Sequence, residues 1–173
     1  NALEGEAGFA ASGTGICIQN DMVWIGTGGG ESTRVYRSSD RGNSWDAIDT
    51  PMRKGEGYGI YGMAFLDELH GITVGGSYVD SLNTLGNCAI TQDGGMTWLV
   101  PDTVPRGYRS CVTFSESGRY AVCVGRSGCE FSENKGMSWT PFSDEGYWVC
   151  DVGGSTLWAS GRSGKLGRIK RVR

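Results

Sequence analysis

An eight-residue pattern that occurs three times limits what this chain can fold into more than any other feature. The pattern Ser/Thr-x-Asp/Asn-x-Gly-x-Ser/Thr-Trp covers residues 38–45, 91–98 and 132–139. Its first hydroxyl and its Asp or Asn can accept hydrogen bonds from nearby backbone N–H groups, which favours a tight turn. The Gly supplies the positive φ that such a turn requires, and the Trp is large enough to fill a small apolar core. We therefore predict three hairpin turns, each followed by a strand that starts close to the Trp.

Each copy of the pattern has four residues to which we assign a structural role. They are Ser38, Asp40, Gly42 and Trp45, then Thr91, Asp93, Gly95 and Trp98, and finally Ser132, Asn134, Gly136 and Trp139. The pattern resembles the Asp-box, also known as the bacterial neuraminidase repeat (BNR repeat). In families that carry it, the Asp-box is a hairpin between the last two strands of a propeller blade. The resemblance therefore implies a β-propeller, and it bears on the fold much more than on the function.

The spacing of the three Trp residues gives the length of the repeating unit. Trp45 and Trp98 are 53 residues apart, and Trp98 and Trp139 are 41 residues apart, close to the blade lengths of about 40–50 residues found in propellers. We predict an all-β fold with a single propeller domain over residues 1–173. Its blades lie at about 11–50, 58–103, 107–143 and 146–173. The fourth strands of the first three blades are predicted at Ser44–Asp49, Met96–Pro101 and Met137–Phe142, and the last blade has three strands. The chain thus supplies about three and three-quarter four-stranded blades.

Composition agrees with short strands and excludes several classes of function. The chain has 30 Gly and only 4 Pro, and its apolar residues stand in short runs, as in proteins built from strands and tight turns. No window keeps a 3.6-residue apolar period, so we predict almost no helix. The formal net charge of −3 disfavours nucleic-acid binding, which usually needs a basic face. No run of about 18 apolar residues is present, so we expect no membrane span.

The cysteines and the single histidine carry no metal or redox motif. The six cysteines are Cys17, Cys88, Cys111, Cys123, Cys129 and Cys150, without a CxxC pair or zinc spacing. Most stand in apolar runs, which is typical of small buried side chains. A disulfide between cysteines on neighbouring strands is an open possibility, because the spacing of the cysteines does not show which of them pair. His70 alone cannot build a zinc site, and no glycine-rich loop opens a helix in a βαβ unit. We therefore predict neither a metal nor a cofactor.

Strand alternation divides the predicted loops between two faces. Antiparallel neighbours place successive loops at opposite ends, so the three repeated turns share one face. The opposite face would carry the connections between blades and the loops between second and third strands. These loops are Gly26–Thr33, Met52–Tyr58, Ser77–Asn87, Asp102–Tyr108 and Ser143–Gly146. Because binding residues concentrate on long loops of a rigid scaffold, we expect the binding site on this face.

Arginine and aromatic residues near that face are the candidate site. Arg109, Tyr61 and Trp148 take the same position at the start of three neighbouring innermost strands, so we expect them to converge at the mouth of the central channel. Arg suits a carboxylate or phosphate through paired donors, and aromatic faces suit sugar rings or apolar peptide side chains. The candidates are Arg109, Tyr61, Trp148, Arg34, Arg53, Arg106 and Tyr78. The competing interpretation is that the aromatic residues pack between blades and the arginines are solvated.

Four further stretches extend the resemblance over nearly the whole chain. They are Phe-Ala-Ala-Ser-Gly-Thr at 9–14, His-Gly-Ile-Thr-Val-Gly-Gly at 70–76, Gly-Tyr-Arg-Ser at 107–110 and Gly-Lys-Leu-Gly-Arg-Ile at 164–169. With the repeats, they look like the C-terminal half of bacterial relatives of the photosystem II stability and assembly factor, often labelled "oxidoreductase". The resemblance implies a seven-bladed, commonly exported propeller that is completed by N-terminal blades outside this sequence. A four-bladed ring or closure by self-association is the alternative.

Two functions are compatible with this resemblance. Plant and cyanobacterial members of the group are assembly factors that bind a partner protein, and no redox motif here supports the oxidoreductase label. Sialidases and several glucanases also carry Asp-boxes, and Arg34, Arg109, Tyr61 and Glu6 are residue types that a sialidase site needs, although the Arg-Ile-Pro signature of sialidases is absent. We predict a non-catalytic module that binds a protein or a small anionic or carbohydrate partner, with a glycoside hydrolase as the alternative. Arg109→Ala should then weaken binding with little loss of stability.

Overall fold

The structure is a computed structural model that describes residues 1–9 and 13–170. Within these residues the chain forms fourteen β-strands and one 3-10 turn, Arg162–Gly164, and no described helix is long and apolar enough to cross a membrane. The strands are β1 Ile16–Gln19, β2 Met22–Gly26, β3 Arg34–Ser38, β4 Asp46–Asp49, β5 Tyr58–Phe65, β6 Gly71–Ser77, β7 Cys88–Thr91, β8 Cys111–Phe114, β9 Ala121–Gly125, β10 Gly128–Ser132, β11 Thr140–Ser143, β12 Val149–Gly153, β13 Thr156–Ser160 and β14 Leu166–Lys170. The predicted all-β class is confirmed. Residues 10–12 and 171–173, which the predicted first and last blades include in part, lie outside the described residues.

The strands form four small antiparallel sheets in chain order. Their strand orders are β1-β2-β3-β4, β5-β6-β7, β8-β9-β10-β11 and β12-β13-β14. The first strands of neighbouring sheets contact one another, β1 with β5, β5 with β8 and β8 with β12. Successive meandering sheets that meet along their first strands are the blades of a β-propeller, and we number them blade one to blade four.

Blade two differs from the prediction at its fourth strand. In place of a strand over Met96–Pro101, the structure has a single pair, in which Leu99 and Ile90 exchange both backbone hydrogen bonds at 2.8 and 2.9 Å. Two residues further on, Pro101 has no N–H group to donate to the ladder. The pairing therefore stops, and the sheet of blade two keeps three full strands.

The apolar core is divided among the boundaries between blades. One cluster joins blades one and two around Trp24, which is fully buried and stacks on Phe65 with ring centroids 3.7 Å apart. A second cluster joins blades two and three around Ile72 and Ile90, and a third joins blades three and four around Val124. Fully burying such a side chain contributes roughly 1.5–3 kcal/mol. The stability of each blade therefore depends on its neighbours.

The three repeated segments, here named the repeat turns, share one hydrogen-bond pattern. In the second copy, Thr91 Oγ1 accepts from the backbone N–H of Gly95 over 2.9 Å and donates to Asp93 Oδ1 over 2.8 Å. The same Asp93 carboxylate accepts from the backbone and the hydroxyl of Thr97 at 2.9 and 2.6 Å. Copy one repeats all of these bonds. Copy three repeats them with one difference, in which the Asn134 amide donates to the Ser138 hydroxyl over 2.9 Å. The glycine takes a φ of +85° in the second copy, a value that favours Gly.

The Trp residues of the repeat turns do not all pack as predicted. Trp98 and Trp139 are buried at the boundary with the preceding blade, in the clusters around Trp24 and Ile72. Trp45 is 41% exposed and its indole N–H donates to Gly42 O over 2.9 Å, so the ring folds over its own turn. The predicted core role is therefore wrong for Trp45. Trp98 and Trp139 are buried by the preceding blade, and no blade stands before blade one among the described residues.

The outer sides of blades one and four expose apolar residues. On blade one, Ile16 and Ile18 are exposed on the side opposite the buried Trp24. On blade four, Val149 and Leu166 are exposed and share a cross-strand row with the half-buried Ser160, and Leu166 is 77% exposed. Both sides are sheet surfaces with apolar side chains, like the surfaces that are buried between neighbouring blades. No other described part of the chain covers them.

The loops separate into two faces, as strand alternation requires. The repeat turns share a face with the turns β1–β2 and β5–β6, shown by the ion pair of Arg41 with Asp21 and by the hydrogen bond from Gly94 N to Leu69 O. The opposite face, here named the loop face, carries the connections between blades and the loops β6–β7 and β9–β10. There Arg126 Nη1 donates to Tyr78 O over 2.9 Å and links two of these loops.

Candidate functional site in the channel cavity

A concave cavity of about 1310 Å³, here named the channel cavity, lies on the loop face where the innermost strands begin. Blades two, three and four and the segment that leads into blade one all contribute to its wall. The lining residues are Gly8, Phe9, Gly13, Thr14, Tyr61, Tyr78, Tyr108, Ser110, Arg126, Gly146, Trp148, Val149, Ser160, Arg162 and Lys165. Of the seven predicted binding residues, Tyr61, Tyr78 and Trp148 lie on this wall. The channel cavity is therefore the candidate site.

Hydroxyl groups tie the innermost strands together beneath the cavity. Thr14 Oγ1 donates to the carbonyl oxygens of Tyr61 and Ser110, at 3.3 and 3.2 Å. Ser110 Oγ in turn donates to the carbonyl of Trp148 over 2.6 Å. The bonds from Thr14 join the segment before blade one to blades two and three, and the bond from Ser110 joins blade three to blade four. The backbone that carries the cavity wall is therefore held from blade to blade.

An aromatic cluster forms one side of the cavity. Phe9 stacks on Tyr61 with ring centroids 4.1 Å apart, and Tyr108 meets the same ring edge-on at 4.9 Å. The Tyr61 hydroxyl donates to Gly57 O over 3.0 Å. Burial raises the pKa of Tyr61 to about 12 and also raises the pKa of Tyr108. Both phenols are therefore neutral near pH 7, and the aromatic cluster presents ring surface in preferred aromatic geometry.

Cationic side chains form another part of the wall. Arg126, Arg162 and Lys165 line the cavity, and no Asp or Glu stands among its described lining residues. Lys165 forms an ion pair with Glu145 just outside the wall, whereas no ion pair among the described residues involves Arg126 or Arg162. Both arginines are exposed. Their guanidinium groups are available to an anion that enters beside the aromatic cluster.

Arg109 lies outside the cavity, contrary to the expected convergence with Tyr61 and Trp148. Its Nε donates to Glu130 Oε2 over 2.9 Å, and the two side chains are 0% and 1% exposed. Its Nη1 donates to the carbonyl of Tyr108 over 2.8 Å. Arg106 binds the other oxygen of Glu130 through Nε at 3.1 Å. A carboxylate buried on β10 needs cationic partners, so both arginines are bound to Glu130.

Arg34 anchors the N-terminal segment to blade one. Its Nε donates to Glu6 Oε1 over 3.0 Å and its Nη2 donates to the Tyr36 hydroxyl over 2.7 Å. Thr27 Oγ1 also donates to Glu6 over 2.7 Å, and the Glu6 side chain is 1% exposed. The bond to Arg34 lowers the pKa of Glu6 to about 2. The hydrolase alternative paired Glu6 with Tyr61, but the tyrosine bound to Glu6 is Tyr36, over 3.1 Å.

Arg53 lies away from the cavity wall, in the loop before β5. Its guanidinium stacks on the ring of Tyr58 with 4.1 Å between Cζ and the ring centroid. The Tyr58 hydroxyl donates to Asp80 Oδ2 over 3.0 Å. This pair joins two loops of the loop face, so Arg53 contributes to the rim and not to the cavity itself.

Sequence reasoning missed several residues of the cavity, chiefly Phe9, Tyr108, Arg126, Arg162 and Lys165. Tyr108 immediately precedes Arg109, and successive residues of an extended chain point to opposite sides. The cavity position assigned to Arg109 thus belongs to Tyr108. Arg126 stands in the tight connection between β9 and β10, and strand alternation already places that turn on the loop face. This placement of the turn could have identified Arg126 as a candidate site residue.

The described residues hold no group of three His, Cys, Asp or Glu side chains that could bind a metal ion. His70 binds Asp67, with Nδ1 2.9 Å from the carboxylate. The wall of the channel cavity presents aromatic rings and guanidinium groups.

Comparison with solved structures places this fold among proteins of very different kinds. The computationally designed Ika4 protein has a TM-score of 0.60 and 12% identity, with 90% of this chain and 89% of that chain covered. An ancestral GH74 enzyme has a TM-score of 0.61 and 12% identity over 88% of this chain and 24% of the enzyme. YCF48 bound to D1 peptide has a TM-score of 0.56 and 13% identity over 90% of this chain and 48% of YCF48. The chain thus spans about a quarter of the GH74 enzyme and about half of YCF48.

No family model matches the sequence, and no curated protein matches it. At 12–13% identity the likeness to solved structures is one of fold. The four successive sheets and the likeness to these solved structures show that the chain is a β-propeller, of which the described residues form four successive blades.

Proposed function

We propose that this chain is a non-catalytic propeller module whose channel cavity binds an acidic segment of a partner protein. One observation carries the proposal. The cavity brings the rings of Tyr61, Tyr108 and Trp148 together with Arg126 and Arg162, and no carboxylate stands among its described lining residues. A peptide that bears a carboxylate beside an apolar or aromatic side chain fits this combination.

The physical argument has an apolar and an ionic part. The rings offer rigid surface whose burial by a partner is favourable, and Tyr61 is already fixed by Phe9 and Tyr108. A guanidinium binds a carboxylate through two parallel hydrogen bonds, which fixes the orientation of the ligand. A preorganised site loses little side-chain entropy on binding.

The likeness to YCF48 supports a protein partner, because that structure is of YCF48 bound to D1 peptide. We infer that the repeat turns are Asp-boxes, since three copies repeat one hydrogen-bond pattern. The chain would then be related to the photosystem II assembly factor group and exported as many of its members are. Blades outside residues 1–173 would complete the ring.

A glycoside hydrolase is the second candidate, supported by the likeness to the GH74 enzyme. The residues for which it was considered do not favour it, because Glu6 and Tyr61 have different partners. The buried Tyr61 hydroxyl, whose pKa is raised to about 12, is poorly suited to act as a nucleophile.

Titration with a synthetic peptide tests the proposal. The probe is an acetylated octapeptide rich in Glu and Phe with a free C-terminal carboxylate, and binding is followed by tryptophan fluorescence and calorimetry. We expect Arg126→Gln and Trp148→Ala each to weaken binding about tenfold or more, which corresponds to about 1.4 kcal/mol. Arg41→Gln, an exposed arginine on the opposite face, should leave the affinity unchanged.

Two results would overturn the proposal. One is equal binding by the cavity variants and by the Arg41→Gln control. The other is turnover of chromogenic glycosides that Tyr61→Phe or Glu6→Gln abolishes, which would establish the hydrolase.

A further inference from the structure

Two cysteines face each other across the boundary between blades three and four. Cys111 lies on β8 and Cys150 on β12, the innermost strands of their blades. Their sulfur atoms are 3.9 Å apart. The Cys150 backbone N–H is 3.4 Å from Cys111 Sγ, and the Cys111 thiol donates to Cys150 O over 3.2 Å. Both side chains are buried.

The other cysteines have different surroundings. The Cys123 thiol lies 3.7 Å from Glu130 Oε2, and the Cys129 thiol donates to the carbonyl of Glu145 over 3.3 Å. Within the described part of the chain, the contact between two cysteine sulfurs is the one between Cys111 and Cys150. To reach the disulfide bond length of about 2.05 Å, each sulfur of this pair has to move by about 1 Å.

We propose that Cys111 and Cys150 form a disulfide that joins blade three to blade four when the protein meets a small-molecule disulfide such as oxidised glutathione. The Cys111 thiolate attacks one sulfur of the oxidant and releases the first glutathione thiolate. The Cys150 thiolate then attacks the resulting mixed disulfide at the Cys111 sulfur and releases the second. The two protein thiols lose two electrons and two protons, and the oxidant becomes two molecules of reduced glutathione.

The surroundings of the pair assign these roles. The hydrogen bond from the Cys150 thiol lowers the pKa of Cys111, whereas the same bond and burial raise the pKa of Cys150. The sulfur with more thiolate character is the more available nucleophile. Since both sulfurs are buried, the first attack requires blade four to separate transiently from blade three, and the second occurs between neighbours.

The bond would also act on the candidate site. Ser110, next to Cys111, already binds the carbonyl of Trp148, two residues before Cys150. Blade four carries Trp148, Arg162 and Lys165 of the channel cavity. A covalent link at this boundary holds these side chains against the blade three wall.

The test treats the folded 173-residue protein with oxidised glutathione, with and without a urea concentration below the unfolding transition, and then alkylates the remaining thiols. Peptide mapping by mass spectrometry without reduction should show a Cys111–Cys150 cross-link and four alkylated cysteines. The oxidised form should unfold about 5 °C higher than the reduced form, because the link restricts the unfolded chain. Cys111→Ser should abolish both changes, and the control Cys17→Ser should abolish neither.

Several results would overturn the inference. They are six alkylated cysteines after treatment in urea, a cross-link between other cysteines, or glutathione adducts without an internal link. This outcome does not depend on peptide binding, so it is separable from failure of the proposed function. If Cys111→Ser fails to fold, the Cys150→Ser variant replaces it. The peptide map of the oxidised wild-type protein then decides whether the Cys111–Cys150 link forms.

Discussion

Arg109 and Glu130 form an ion pair that is sealed inside blade three, with Arg109 Nε 2.9 Å from Glu130 Oε2 and both side chains excluded from solvent. Arg109 stands just before β8 and Glu130 lies on β10, so the pair spans the intervening strand β9. Arg106 binds the second oxygen of the same carboxylate from the rim. A single buried acid thus fixes the connection that leads into blade three.

Removing Arg109 should destabilise the protein strongly. Arg109→Ala leaves Glu130 buried without its inner partner, a change that typically costs about 3–5 kcal/mol. The free energy of unfolding, measured in urea, should fall by this order. This expectation replaces the one drawn from the sequence, in which Arg109→Ala left stability nearly unchanged.

The double variant Arg109→Met with Glu130→Leu is the control for that experiment. It removes both charges and keeps apolar volume, so it should recover much of the lost stability. A loss of less than about 1 kcal/mol in Arg109→Ala would show that water reaches Glu130 and that the pair is not sealed.

Acid should weaken the attachment of the N-terminal segment through Glu6. Its pKa is lowered to about 2 in the folded protein from an ordinary value of 4.5. The resulting stabilisation is complete above about pH 4.5 and is lost as the pH falls towards 2, with a magnitude on the order of 3 kcal/mol. Urea unfolding between pH 2 and 7 should show this loss in the wild type. In Glu6→Gln the decline over the same window should be smaller by that amount.

The repeat turns should tolerate an amide but not a methyl group at their acidic position. Asn134 occupies that position in the third copy and accepts from Ser138 N over 2.9 Å, as Asp93 accepts from Thr97 N. Asp93→Asn should therefore cost less than about 0.5 kcal/mol, whereas Asp93→Ala should cost about 1–2 kcal/mol. Chemical denaturation measures both. Asp102→Ala, at an exposed acid between blades, is the matched control, and equal losses in all three variants would contradict the assigned role.

The exposed outer sides of blades one and four should make the chain associate at high concentration. Exposed apolar sheet surface of this kind is normally covered. Leu166→Glu on the outer side of blade four should reduce association in sedimentation velocity, together with binding of an apolar dye. Leu82→Glu is a matched control, because Leu82 on a loop and Leu166 are both 77% exposed. A similar effect of both substitutions would mean that general surface polarity, and not the outer side, governs association.

The repeat turns and most strands follow from local chemistry, and these were predictable. A hydroxyl, a carboxylate and a glycine act within eight residues, so the sequence contains all the partners of the turn. The absence of a full fourth strand in blade two was harder to predict, although Pro101 is a local signal that the strand pairing stops. The exposure of Trp45 depends on which blade precedes it, and no property of residues 38–45 carries that information.

The candidate site was predicted only in part for a related reason. The loop face follows from counting strands, and three of the seven candidate residues, Tyr61, Tyr78 and Trp148, lie on the wall of the cavity there. Charge alone does not separate a ligand-binding arginine from a structural one. Arg109 differs from Arg126 because Glu130 lies beside it, and that neighbour is 21 residues away in the chain.

The burial of Trp98 and Trp139 against the preceding blade makes neighbouring repeats thermodynamically interdependent. Unfolding blade one uncovers an indole that belongs to blade two, and unfolding blade two does the same to blade three. Such a chain behaves as a row of units whose stability resides largely in nearest-neighbour coupling. Hydrogen exchange should then report protection that rises from the ends of the row towards blades two and three, β5–β11, each of which has a neighbouring blade on both sides.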